Sequence, residues 1–311
     1  MAAPREVLRR GVERAAARIG PRPLALVLLA ACCSVYAGSA RANDSCTTVG
    51  ASTTCTGNQS AGIALNPNNG ITSLWVQSLT VPIAPTASTS GIDFQSLGAN
   101  GDSGQPAGLP GSDLTVTTDG SVAISTTGGA PGILATSTGG NGADASIPVS
   151  LGGAGAQGGA VTVNNAGSIS TAGANAVGIS VESAGGAAGL DAFTGGGGAG
   201  GAVMVTNSGS ISTNGTSAYG ILASSIGGDG YLQSQDNGAP GAQSGNVSVT
   251  NSGSITTVLA GSSGVFASSI GGTTGNSSSI GANAGSITIS NLGTIRTSGS
   301  TTLPILPVPF T

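Results

Sequence analysis

Apolar residues alternate with small polar ones in short runs along this chain, and the runs recur. Val203 to Gly228 reads VMVTNSGSISTNGTSAYGILASSIGG, and Val247 to Gly272 reads VSVTNSGSITTVLAGSSGVFASSIGG. The first half of this module occurs five times, from Leu114, Val161, Val203, Val247 and Ile287, at spacings of 47, 42, 44 and 40 residues. Each copy carries apolar residues at offsets zero and two. A glycine follows at offset six (Gly120, Gly167, Gly209, Gly253, Gly293) and a β-branched aliphatic at offset eight (Val122, Ile169, Ile211, Ile255, Ile295). Alternation with a period of two belongs to a strand; a helix would repeat its apolar positions every three or four residues. The second half begins at Gly132, Gly178, Gly220 and Gly264. It continues with Ile or Val and closes on a Gly-Gly pair at 139–140, 185–186, 227–228 and 271–272.

One such module, 26 residues from Val203 to Gly228, cannot bury its own valines and isoleucines, whereas stacked modules share one interior. The pattern therefore predicts an all-β solenoid, a parallel β-helix of about five to six rungs over residues 74–300, some 25–30 Å tall at the usual strand spacing. Leu74-Trp75-Val76 and Leu79-Thr80-Val81 form its entry rung, with residues 43–73 as an N-terminal segment or cap. The corners are expected at Asn-x-Gly and at other Gly-bearing turns, since both residue types tolerate left-handed backbone. Equivalent Asn165, Asn207, Asn251 and Asn291 are expected to stack as a ladder. Gly-rich inserts at 141–160, 187–202, 229–246 and 273–286 leave from one corner and should emerge on one face. They carry Asp144, Asp191, Phe193, Asp229, Tyr231 and Asp236. Each insert reads either as a solvated, flexible spacer or as a binding loop on a rigid scaffold.

The N-terminus changes the picture of compartment and charge. Six arginines (Arg5, Arg9, Arg10, Arg14, Arg18, Arg22) precede an apolar run from Leu24 to Ala31, and Ala40-Arg41-Ala42 follows. A basic region, a short apolar core and small residues at Ala40 and Ala42 describe a secretory signal peptide over residues 1–42; the core is too short for a spanning helix. Leu29-Ala30-Ala31-Cys32 also resembles a bacterial lipobox, in which Cys32 would be acylated. Removal of the first 42 residues leaves ten acids and a single base, Arg296, a net charge of about −9 without lysine or histidine. Nothing remains to neutralise phosphates, so nucleic acid is excluded as a partner. Cys46 and Cys55 follow the cleavage site and are expected to close a small disulfide loop in an oxidising compartment.

At Asn207-Ser208-Gly209-Ser210-Ile211 with Thr213, and at Ala218-Tyr219-Gly220-Ile221 with Ser225-Ile226-Gly227-Gly228, repeated from residue 247, the chain resembles the N-terminal part of an autotransporter (type V secretion) passenger domain. The resemblance spans about residues 90–300. It implies a right-handed parallel β-helix, export through a C-terminal outer-membrane barrel, and a surface adhesin or virulence role. The partner it implies is a host surface protein or glycan met through the inserts, with no cofactor. The barrel itself is missing from the pattern: residues 301–311 end in Leu303-Pro304-Ile305-Leu306-Pro307-Val308-Pro309-Phe310-Thr311, whose prolines preclude ladder strands. This tail reads as the end of a truncated or frame-shifted passenger, or as a short cap. On that reading the export machinery takes this chain alone to the periplasm, and a full autotransporter to the cell surface. A stand-alone periplasmic or lipid-anchored repeat protein is the second reading.

Candidate chemistry adds little. Without histidine or lysine there is no Ser-His or Ser-Lys pair, and Asp229 with Asp236 shares a loop without any sign of the facing arrangement glycoside hydrolysis needs. A polysaccharide-degrading β-helix enzyme therefore ranks third, and no catalytic residue is assigned. Gly139 to Ile147 resembles a calcium-binding β-roll nonapeptide, but Ser146 takes its apolar position and no tandem copy completes a site, so no metal is expected. Tyr219 and Phe266 flank one corner in neighbouring modules, where they either pack across rungs or form an exposed aromatic ladder.

Overall fold

The computed structural model describes residues 46–66, 70–86, 88–103, 105–144, 152–190, 195–231, 239–274 and 281–299. The signal-peptide positions Cys32, Ala40 and Ala42, the insert residues Asp191, Phe193 and Asp236, and the tail 301–311 lie outside them. The described chain is all-β, without a helix, and its strands form three mostly parallel sheets. That arrangement is compatible with a β-helix.

Three full modules repeat the same order. They comprise β9 (Val161–Asn165), β10 (Ser168–Ala172) and β11 (Val177–Ala184); β12 (Val203–Asn207), β13 (Ser210–Asn214) and β14 (Tyr219–Ile226); and β15 (Val247–Asn251), β16 (Ser254–Val258) and β17 (Ser263–Ile270). Ahead of them β6 (Leu114–Thr118), β7 (Ala123–Thr126) and β8 (Ile133–Thr138) follow the same scheme, and β18 (Ile287–Asn291) and β19 (Thr294–Thr297) continue it. Each module gives its first strand to the first sheet, its second to the second and its third to the third. Pairing begins before Leu74: β2 (Ser52–Asn58) pairs parallel with β4 (Ser73–Val81), and β3 (Ile63–Leu65) with β5 (Ile92–Leu97). At the N-terminal edge β1 (Cys46–Val49) pairs antiparallel with β2, Cys46 opposite Cys55, and the expected disulfide joins them.

Registers put like residues over like. Val161, Val203, Val247 and Ile287 form one column, Val163, Val205, Val249 and Ile289 the next, and Ile169, Ile211, Ile255 and Ile295 a third. Val161 through Val249 and Ile169 through Ile255 are buried in a single core with Ile179, Ile221 and Phe94. Burying each such side chain contributes roughly 1.5–3 kcal/mol. The glycine that opens the third strand exists to admit these isoleucines: a Cβ at Gly178 would meet Ile211 Cγ2 at 2.3 Å, and one at Gly220 would meet Ile255 Cγ2 at 2.3 Å.

The corners correct the sequence expectation in part. Neither the asparagine nor the glycine of Asn-x-Gly is left-handed; positive φ falls at the next corner, on the expected glycines Gly129 (82°), Gly173 (112°) and Gly261 (74°), and also on Asn175 (60°), Ser217 (53°) and Leu259 (81°). The asparagines sit at their corner for another reason. Asn165, Asn207 and Asn251 are buried, and each amide donates to the carbonyl two residues on and to the Oδ1 of the next asparagine. The inter-asparagine distances are 2.8, 2.7 and 2.7 Å, so the predicted ladder runs unbroken from Asn165 to Asn291.

The inserts depart most from the reading as free spacers. Their described limbs run out and back, with hydrogen bonds to the neighbouring insert every third residue. Outgoing, Gly139 and Gly142 donate to Ala184 and Ala187, and Gly185 and Ala188 to Ile226 and Asp229. Returning, Gly155 and Gly158 donate to Gly196 and Ala199, and Gly197 and Gly200 to Pro240 and Gln243. A three-residue period is that of a polyproline II helix, which has no internal hydrogen bonds and leaves its peptide groups to neighbours. The outgoing and returning layers are then laced together. Leu109 donates to Ala99, Gly140 to Leu109, Ala156 to Gly140, Gly186 to Ala156, Gly198 to Gly186, Gly228 to Gly198, Ala242 to Gly228, Gly272 to Ala242 and Ala282 to Gly272, all at 2.7–3.1 Å. Buried Ser137, Ser183 and Ser225 tie the third sheet to the returning layer: Ser183 Oγ donates to Gly159 O at 2.7 Å and accepts from Gly201 N at 2.8 Å. The glycine-rich stretches thus form a second backbone-bonded body beside the apolar core.

Candidate functional site

With the described insert limbs bonded to one another, the outer faces of the three sheets are the other surfaces that repeat with the modules. In the first sheet the inward valines alternate with outward residues that align in two rows. Trp75, Thr117, Asn164, Thr206, Thr250 and Ser290 make one; Ser73, Thr115, Thr162, Met204, Ser248 and Thr288 make the other. Strand geometry sets the members of a row about 4.8 Å apart and the rows about 6.7 Å apart. No row member is charged. Trp75 is 49% and Met204 50% exposed. A shallow depression of about 160 Å³ lies mid-row, lined by Thr117, Asn164, Ala166, Thr206 and Ser208 as well as by Thr118 and Asn165. Among the described residues the side chains of Thr117, Asn164 and Thr206 have no hydrogen-bond partner, in contrast to the adjoining inward Thr118 and Asn165, which bond each other at 2.7 Å.

The second sheet presents Ser125, Ser170, Ser212, Thr256 and Arg296 in one row and Ala123, Ser168, Ser210, Ser254 and Thr294 in the other, with no aromatic residue. The third sheet turns Asp93, Leu134, Ser180, Leu222 and Phe266 outward, beside Gln95, Thr136, Glu182, Ser224 and Ser268. Tyr219 meets Phe266 edge-on with centroids 5.7 Å apart, an ordinary contact between modules. Asp93 and Glu182 are separated by β8 and lie about 12 Å apart at the backbone.

Glu182 is the strained group of this face. Its Oε2 is buried without a hydrogen-bond partner, and burial raises its carboxyl above the usual range. Burial also raises Asp93, against the hydrogen bond from Gln95. A carboxyl raised by desolvation disfavours the charged form in the fold. Glu182 is therefore well accommodated below its unfolded value near 4.5, and stability is lost as pH rises through the higher folded value. Glu182→Gln is expected to stabilise the chain by about 1–2 kcal/mol at pH 8 and to make little difference at pH 4. Thermal melts of both proteins at the two pH values measure this, Asp93 being common to both; a gap that does not widen with pH would contradict it.

The acids singled out in the inserts have structural roles where they are described. Asp144 Oδ1 accepts from Leu190 N at 2.9 Å, and Asp229 Oδ1 accepts from Thr273 N at 2.7 Å and Thr273 Oγ1 at 2.8 Å. Gly139, Gly140 and Gly142 of the β-roll-like stretch serve close backbone packing. Among the described residues no group of three or more His, Cys, Asp or Glu side chains could hold a metal ion. The hydroxyl rows escaped the sequence reading, although their signal lay in the residues between the valines of Val-x-Val-x-Asn. No protein-family model, no curated protein and no solved structure matches the chain.

Proposed function

We propose that the stacked modules are a right-handed parallel β-helix and that the chain is an exported, non-enzymatic interaction scaffold of the autotransporter-passenger kind, an adhesin when displayed. Residues 1–42 direct export and are removed at the Ala40–Ala42 site. The observation that carries the reading is the uncharged, hydroxyl-rich face of the first sheet, repeated in register over successive modules on a scaffold whose inserts are tied down. Such a face offers many equivalent weak contacts and no converging acid, base or nucleophile. The Cys46–Cys55 bond suits an oxidising compartment.

Expression of the full chain in a bacterium with two membranes, followed by fractionation and N-terminal sequencing, tests the reading. The expected product is periplasmic, begins at Asn43, and has both remaining cysteines protected from alkylation. Cytoplasmic protein retaining Met1 would refute export, and a lipid on Cys32 would favour the anchored alternative.

A further inference from the structure

We propose that the outer face of the first sheet is a binding platform for a neutral, extended β-1,4-linked polysaccharide, with Trp75 as its stacking residue and Thr117, Asn164 and Thr206 as its hydrogen-bonding floor. This rests on the reading of the chain as a binding scaffold and is independent of export.

Charge selects the ligand class. Neither row carries a carboxylate to attract a base or a cation to hold an acid, and the mature chain is strongly acidic. Anionic ligands are therefore repelled, and a cationic one finds no carboxylate on this face to hold it. A protein partner would want a buried cluster of aromatic anchors, whereas the large apolar side chains of this face, Trp75 and Met204, lie in different rows and in strands separated by two others. A polyhydroxylated chain asks for what is present: donors and acceptors at regular intervals, with one flat aromatic surface.

Spacing narrows the class. Equivalent side chains repeat about every 4.8 Å along the stack, close to the advance of one pyranose in an extended β-1,4 chain. A glycan lying along the row from Trp75 to Thr250 spans about 19 Å, with roughly one sugar over each strand. Helical α-linked glucans cannot keep that phase. Trp75 is half exposed, and an indole there is the one aromatic surface of the row on which the C–H side of a pyranose ring could stack. In the depression, the Asn164 amide supplies two donors and an acceptor and the flanking hydroxyls of Thr117 and Thr206 supply both, a set suited to vicinal diols.

Affinity electrophoresis of the processed protein through gels containing hydroxyethylcellulose, glucomannan or arabinoxylan tests the platform, with dextran as the α-linked control. At least one β-1,4-linked probe should retard the protein and dextran should not. Trp75→Ala should weaken retardation about tenfold. Thr206→Asp should abolish it, while Ser212→Asp, the same change on the second sheet, should leave it intact. Should Trp75→Ala fail to fold, the two aspartate variants, at outward positions of which Thr206 is half-buried and Ser212 exposed, still decide. Retardation by none of the three probes, retardation undiminished in Thr206→Asp, or equal loss in Ser212→Asp overturns the proposal. A fall in hydroxyethylcellulose viscosity would overturn the non-enzymatic reading and leave the platform standing. Absence of binding by a correctly exported protein would overturn the platform alone.

Discussion

Gly228→Ala is expected to destabilise the chain by roughly 4 kcal/mol or more, lowering Tm by about 10 °C. A Cβ there would lie 1.9 Å from the carbonyl oxygen of Gly186. That oxygen cannot retreat, because it accepts the N–H of Gly198 at 2.7 Å in the lacing between the two glycine layers. Gly186 is confined in the same way, its Cβ position being 2.0 Å from Gly140 O. Relief requires parting two layers along several hydrogen bonds, which exceeds the usual penalty for one extra methyl group. The informative control is a glycine that the repeat makes look equally obligatory. Gly120 and Gly209 occupy the same offset, yet a Cβ at Gly209 would be 1.9 Å from Gly167 O while one at Gly120 meets nothing within 4 Å. Gly120→Ala should therefore fall within about 0.5 kcal/mol of the parent and Gly209→Ala should behave like Gly228→Ala. Equal tolerance of all three in thermal unfolding would show that the close layers do not exist.

Asn207→Ala carries the next largest effect, about 3–4 kcal/mol. The substitution removes a buried side chain that accepts from Asn165 Nδ2 at 2.8 Å and donates to Asn251 Oδ1 at 2.7 Å. It leaves a donor above and an acceptor below unsatisfied in a site shielded from water. Each such orphan costs about 1–3 kcal/mol, and a small cavity adds to it. Asn291, at the end of the ladder and exposed, donates to Gly293 O and accepts from Asn251 alone, so Asn291→Ala should cost about 1 kcal/mol. Chemical denaturation of the two variants measures the contrast; similar midpoints would mean that water reaches the ladder.

These two cases also show where sequence was informative. The valine and isoleucine columns were legible because strand alternation exposes which positions face inward, and so was the asparagine stack, since equal offsets in parallel modules must superpose. Trp75 and the threonines between the valines were visible too, but outward residues of one strand have no meaning until neighbouring registers align them into rows. The glycine-rich limbs stayed hidden for a physical reason. A layer bonded through peptide groups at every third residue is packed through missing side chains, so Gly185, Gly198 and Gly227 leave no hydrophobic period to detect. The Gly-Gly pair that closes each module was visible as a motif, but its cause, the approach of backbone to backbone, was not.

The lacing between limbs also accounts for the uneven repeat. Cross-limb bonds join residues 16 apart at Gly140–Ala156, 12 at Gly186–Gly198, 14 at Gly228–Ala242 and 10 at Gly272–Ala282. Subtracted from the module spacings of 47, 42, 44 and 40 residues, these separations leave 31, 30, 30 and 30. The chain is built on a frame of nearly constant length, and the variation in its repeat falls within the segments that these bonds enclose. Foreign peptide spliced between Leu190 and Gly195, outside the bonded positions Ala188, Gly189, Gly196 and Gly197, would therefore be carried at a fixed pitch along one edge, making the scaffold a natural ruler for arraying epitopes.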